Sequence, residues 1–178
     1  MARKLNLVHR FDPAAKKHYL NEWNTVLHCH HYSTLFTDLA VCAGAFGGTQ
    51  KLREAGEEVF GKWLKDYFAK EGVTIANERI AVATEYWRVM GMGLIEIGST
   101  SKASGTATME YSHLDEGWLK KFGRWETPVN YFTQGFLAGA FSAIYDMPFG
   151  SYEVLETQSL VKGDELSRFD VKLRSGGS

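Results

Sequence analysis

The sequence predicts an α+β domain in which helices pack on a small antiparallel sheet, and three observations carry that expectation. Apolar residues recur every three or four positions through much of Ala14–Met90, the period of an amphipathic helix. Thr106–Tyr111 and Leu166–Leu173 instead alternate apolar and polar side chains, the period of a half-buried strand. Helical segments come first and strands cluster later around a helix pair, an order that suits helices laid against an antiparallel sheet.

Size and composition limit the function classes. The chain has 178 residues, 44% hydrophobic and 23% charged, which fits one globular domain over 1–174 and a flexible tail or cloning remnant at 175–178. A formal net charge of −1 argues against nucleic acid or acidic lipid as partners, since both need a basic surface. On one continuous helix, Cys29 and Cys42 would lie about 20 Å apart, beyond disulfide reach, and a reducing compartment fits. No apolar run approaches a membrane span and no signal-peptide core follows Met1, so the expected location is the cytoplasm.

The elements follow in order. Leu5, Leu7, Val8 and Phe11 form an arm able to dock on a core. Asp12-Pro13 reads as a helix start, with Asp capping and Pro at the first helical position, opening a short helix from Ala14 to Asn24. A second helix runs from Thr25 to Phe46 and ends at Gly47-Gly48. Thr49 caps a third, whose apolar face includes Leu52, Val59, Phe60, Trp63 and Tyr67, and Gly72 stops it. A fourth covers Ile75–Met90, and a short buried strand follows at Leu94–Ile97. After the Thr106–Tyr111 strand, Leu114–Phe122 is a short amphipathic helix ended by Gly123. Thr127-Pro128 opens a helix from Val129 to Tyr145 that is apolar almost all round, with Gly135 and Gly139 among its small residues; such a helix belongs at the centre of a domain. Strands at Tyr152–Leu160 and Leu166–Leu173 close the chain as a hairpin.

Gly91-Met-Gly-Leu-Ile-Glu-Ile97, the small-residue helix Asn130–Tyr145, Glu156, Gly163-Asp164 and Arg168-Phe169 occur in an order and spacing that resemble the 4-vinyl reductase domain family. The resemblance runs over most of residues 35–173 and is strongest in the second half. It implies a fold similar to haem-NO-binding domains and to the small subunits of vesicle-tethering complexes. It also implies a small hydrophobic ligand and a homodimer, because the family includes aromatic-effector sensors and proteins of bacteriochlorophyll synthesis. Many members hold a structural zinc through a cysteine three residues after the position of Glu156 and another in the closing hairpin. Here those positions are Ser159 and Ser167, neutral hydroxyls and poor zinc ligands, so that zinc is expected to be absent.

Two groups of residues are candidates for chemistry. His28, His31 and Tyr32 would share one face if their helix is continuous, and two imidazoles at that spacing chelate a transition metal once a partner such as Glu85 completes the sphere. Haem ligation by one histidine, or by the Cys29 thiolate, is open to the same stretch, His28–Tyr32. The bland alternative is a polar helix start that only hydrogen-bonds its neighbours. The second group is Tyr32, Phe36, Tyr86, Trp87, Met90, Phe132 and Phe136, which would line an aromatic and Met-rich pocket, although most such residues serve simply as core. No residue pattern identifies a catalytic group. The first expectation is therefore a stand-alone module binding a small hydrophobic, aromatic or tetrapyrrole-like ligand as sensor, carrier or accessory protein. A metal- or haem-dependent enzyme using His28 and His31 is the alternative from another class, and a scaffold subunit of a larger assembly is the third.

Overall fold

A computed structural model of the chain describes residues 5–175. The chain opens with three short strands, β1 (His9–Asp12), β2 (Lys17–Leu20) and β3 (Trp23–Thr25), followed by the helices α1 (His30–Cys42), α2 (Gly48–Glu71) and α3 (Ala76–Val89). A hairpin of β4 (Gly93–Thr100) and β5 (Ser104–Ser112) leads into α4 (His113–Phe122) and α5 (Tyr131–Ile144), and β6 (Tyr152–Gln158) and β7 (Ser167–Leu173) close the fold. The α+β class expected from the sequence is the one observed. Among the described residues no helix is long and apolar enough to cross a membrane.

The larger sheet has the order β4-β5-β7-β6, with each pair antiparallel. Alternation decides its faces. Ile95, Ile97, Ala107, Met109, Val154, Phe169 and Val171 point inward and are buried, while Leu94, Glu96 and Leu155 between them stay exposed. The inward face is covered by α5, every residue of which from Thr133 to Ile144 is buried. Helix α2 then packs on the other side of α5. That contact runs through glycine: a Cβ on Gly135 would meet Arg53 O at 2.3 Å, and one on Gly139 would meet Glu57 O at 2.5 Å. The two helices therefore touch backbone to backbone, at a distance that no larger residue allows.

The N-terminal third departs from the sequence reading. Instead of a helix over Ala14–Asn24 there is a meander of β1, β2 and β3. Asp12 does cap, but it caps a turn: its Oδ1 accepts from Ala14 N at 3.0 Å and Ala15 N at 2.9 Å. An Asp-Pro pair serves a turn as well as a helix start, and here the alternation of Lys17–Leu20 wins. Asn21 and Glu22, at φ 47° and 73°, make a two-residue hairpin between Leu20 and Trp23, the left-handed geometry that a type I′ turn requires. Because β3 runs to Thr25, α1 begins only at His30, with Cys29 extended at its N-cap (φ −92°, ψ 166°). Neither Thr49 nor Thr127 is a cap. Gly47, at φ 77°, precedes α2, and Asn130 caps α5 through its side chain.

Gly139→Ala tests the α2–α5 contact. Alanine is the better helix former by about 1 kcal/mol, yet forcing its methyl into Glu57 O is expected to cost about 1–3 kcal/mol net. A urea unfolding midpoint equal to that of the parent would show that the helices can part without loss.

Candidate functional site

The N-terminal meander stands off the C-terminal half of α2, and the space between them is a groove of about 850 Å³. Asn6 and Val8 of the arm, Tyr19 and Trp23 of the hairpin, and Trp63, Tyr67 and Lys70 of α2 line it. The sequence builds this wall from one side chain in particular. Asn21 Oδ1 accepts from Val8 N at 2.8 Å and its Nδ2 donates to Asn6 O at 2.9 Å, so a single carboxamide ties the hairpin to the arm. The arm is anchored to the helix by Asn6 N donating to Tyr67 Oη at 2.7 Å, while Leu5, Leu7 and Leu20 pack against the core. At the rim Lys70 pairs with Glu22 at 3.5 Å, and the Arg10 guanidinium lies 4.2 Å over the Tyr19 ring. Both are exposed contacts and hold little energy individually. The groove thus has an aromatic floor and a polar, charged rim.

Behind the floor an aromatic column leads into the core. Trp63 stacks on Tyr67 with ring centroids 5.1 Å apart and on Tyr86 at 3.8 Å. Phe60 links Tyr86 to Trp87, and Trp87 stacks on Phe136 at 4.2 Å. Burial pushes the Tyr86 hydroxyl well above the usual phenol range, so it stays protonated. Trp87 is fully buried, and its indole Nε1 has no hydrogen-bond partner. An unpaired donor in a dry interior costs about 1–3 kcal/mol and would be relieved by any acceptor brought to it.

The residues expected to bind ligand fall in two places. Tyr86, Trp87 and Phe136 belong to the buried column, with Phe132 and Met90 partly buried against the same core. Tyr32 and Phe36 do not join them. They sit edge to face at 4.7 Å on the outer face of α1, 53% and 46% exposed. Tyr19, Asn21 and Trp23 escaped the sequence reading because a helix over Ala14–Asn24 hid them; the polar pair Asn21-Glu22 between Leu20 and Trp23 was the available hairpin signal.

The histidine stretch has a different geometry from a continuous helix. His28 precedes α1, and its ring still lies 6.1 Å from that of Tyr32, while His31 is turned to His30. The His28 ring lies 5.7 Å from His113 and its Nδ1 is 3.1 Å from Ser33 Oγ, whereas the His31 ring lies tilted against His30 at 4.2 Å. Glu85 is exposed on α3. Among the described residues no three His, Cys, Asp or Glu side chains are grouped so as to hold a metal ion. Burial, with His28 and His30 beside it, holds the His113 imidazole below its ordinary pKa.

The positions where the resembling family places zinc are buried beside α4 and α5. Ser167 Oγ donates to Glu156 Oε1 at 3.0 Å, and Asp115 lies 3.4 Å from the same hydroxyl. Asn130 Nδ2 donates to Asp115 Oδ2 at 2.9 Å and Ser112 Oγ at 3.1 Å. This donor set does not fit zinc. It offers no thiolate or imidazole, and the Asn130 carboxamide turns its NH₂ toward the carboxylate. That orientation is fixed, because Thr133 N and Thr133 Oγ1 both donate to Asn130 Oδ1, at 3.3 and 2.5 Å.

A helix-covered antiparallel sheet with an aromatic interior defines a class of small α+β modules, and solved structures of that class match the chain. No family model and no curated protein sequence matches it. The fold is shared with the phenol-responsive sensory domain of the transcription activator PoxR, solved with phenol, at a TM-score of 0.75 and 15% identity over 93% of this chain and 84% of that one. It is shared also with a vinyl-4-reductase family protein from Methanocaldococcus jannaschii, at a TM-score of 0.56 and 20% identity over 84% and 83% of the two chains. A trafficking protein particle complex subunit 3 from Naegleria fowleri, covalently bound to palmitic acid, gives a TM-score of 0.49 with 14% identity over 81% and 96%. The fold expected from the family resemblance is therefore the fold of the chain.

Tyr67→Phe removes the acceptor for Asn6 N and leaves the ring stack in place. It is expected to cost about 1 kcal/mol and to speed exchange of the Asn6 amide hydrogen, with α5 amides unaffected. Unchanged exchange at Asn6 would show that the arm is held by its leucines alone.

Proposed function

We propose that the protein is a small-molecule-binding module whose ligand has an aromatic or hydrocarbon body and a polar end, and that the ligand enters at the groove between the N-terminal meander and α2. The groove carries the reading: about 850 Å³, floored by Trp63 and Tyr67 and rimmed by amides and charges, it matches the mostly apolar sites with a few oriented polar groups that take drug-sized ligands. The phenol held by the PoxR sensory domain, a protein of the same fold, supports a ligand with an aromatic body and a polar end. No side chain in the groove is arranged as a nucleophile with its base, so binding rather than catalysis is the role we assign. Phenol and larger phenolic compounds are the probes. A saturating ligand should raise the melting temperature by several degrees, since roughly a hundredfold excess over Kd adds about 2.7 kcal/mol. Trp23→Ala should abolish the shift. A shift kept in Trp23→Ala and lost in Trp87→Phe would move the site from the groove to the interior.

The protein acts as a homodimer in this reading, with α1 as the contact. Tyr32, Leu35, Phe36 and Leu39 line one helix face and are 44–55% exposed, and Val26 and Leu27 in the segment before α1 are 74% and 82% exposed. A contiguous apolar stripe of this kind marks an association surface, and its lack of charge suits a second copy of itself. Light scattering on the parent should give the mass of a dimer, and Leu35→Glu with Leu39→Glu the mass of a monomer with unchanged circular dichroism. A monomeric parent would remove the proposal.

A further inference from the structure

We infer that Asp115 and Glu156 share one proton in the folded protein, and that this shared proton, rather than a metal ion, closes the polar junction between α4, α5 and the β6–β7 hairpin. Both carboxylates are almost fully buried, at 0% and 4% exposure. They meet on the Ser167 hydroxyl, which lies 3.0 Å from Glu156 and 3.4 Å from Asp115. A hydroxyl has one proton to give, and here it also accepts from Leu160 N at 3.1 Å. Asn130 donates twice, through Nδ2 to Asp115 and through its backbone N to Glu156 Oε2 at 3.3 Å. Asn130 is the N-cap of α5 and Asp115 sits in the first turn of α4, positions where helix dipoles favour negative charge.

Nothing supplies the balance for a second charge. The titratable groups that face the pair from the surrounding elements are Tyr131 of α5 and Asp164 of the β6–β7 hairpin, the latter turned to accept from Ser159 N at 2.7 Å. Among the described residues no lysine or arginine pairs with either carboxylate. Two uncompensated charges in so dry a site would repel strongly, so one carboxylate must keep its proton. Asp115 Oδ1 is fully buried without a hydrogen-bond partner, an acceptor that the shared proton can serve, and the Ser159 hydroxyl lies beside Glu156. Desolvation, and for Glu156 the neighbouring Asp115 charge, hold both groups above the usual carboxylate range, Glu156 at about 8. A pair shared this way is one coupled unit, not two independent acids.

The consequence has a sign. Because the folded carboxylates hold protons more tightly than the unfolded ones, their contribution to stability is complete below the ordinary carboxylate pKa and is lost as pH climbs through the folded values. The test compares thermal unfolding of the parent and Glu156→Gln from about pH 5 to pH 9, each with EDTA and with added zinc or calcium. The expected parent melting temperature falls by on the order of 5 °C across that range, relative to a flatter curve for Glu156→Gln, and neither chelator nor metal moves it. The infrared stretch of a protonated carboxyl should be present in the parent at neutral pH and absent in Glu156→Gln. Parallel pH curves for the two proteins would overturn the inference. So would a parent destabilised by EDTA, or one stabilised by zinc or calcium in a manner lost in the variant. Should Glu156→Gln not fold, Asp115→Asn is expected to flatten the curve in the same way, and absence of the carboxyl band from the parent would alone refute the shared proton.

Discussion

Helix α5 offers water no polar face, and the rest of the fold is arranged to cover it. Its residues from Thr133 to Ile144 are buried on all sides, so one flank needs a sheet and the other a helix. Neither cover works without small residues. Gly135 and Gly139 let α2 come within backbone contact, Phe141 fills the space toward the sheet, and Phe136 packs on Phe60 of α2 and Trp87 of α3. The dry core places Trp87 and Phe136 face to face, and the α2–α5 contact sets the position of α2, whose far side then becomes the floor of the groove. The central helix and the candidate site are coupled through one close crossing.

The same helix creates a polar problem at its start. The first backbone N–H groups of a buried helix need acceptors, and water is not available to supply them. Asn130 meets this by capping Thr133 N with its carboxamide oxygen and passing its own N–H to Glu156. Ser112 does the same for α4, accepting from Asp115 N at 3.1 Å, and the two caps are hydrogen-bonded to each other. Glu156 thus accepts the backbone N–H at the start of α5, and Asp115 accepts from the side chain that caps it.

Much of this was legible in sequence wherever periodicity was long or strict. The alternation of Ser167, Phe169 and Val171 placed β7 and its inward face correctly, and the all-apolar run with its glycines placed α5 at the centre. The N-terminal meander was not legible because its strands are only three or four residues long and its Asp-Pro turn carries the same residues as a helix start. That single misreading moved the start of α1, and with it the geometry expected of His28, His31 and Tyr32. Ser159 and Ser167 could be marked as a departure from zinc chemistry. Their partner Asp115 could not, since on an amphipathic helix an aspartate next to Glu116 reads as solvent-facing.

Pattern reading fails for such residues for a physical reason. Hydrophobic periodicity reports where apolar area is removed from water, whereas Asp115, Asn130, Glu156 and Trp87 are buried for what their polar atoms do or lack. A polar group enters a core only with partners, and those partners come from elements 15 to 26 residues away in the chain, as the Asn130 contacts to Asp115 and Glu156 show. At Asn130 the partners are supplied by Thr133, Asp115, Ser112 and Glu156. Where one is missing, as at the Trp87 indole, the same requirement marks a place that an incoming acceptor would stabilise. The aromatic column of Trp63, Tyr86, Phe60 and Trp87 joins that place to the floor of the groove through packed rings.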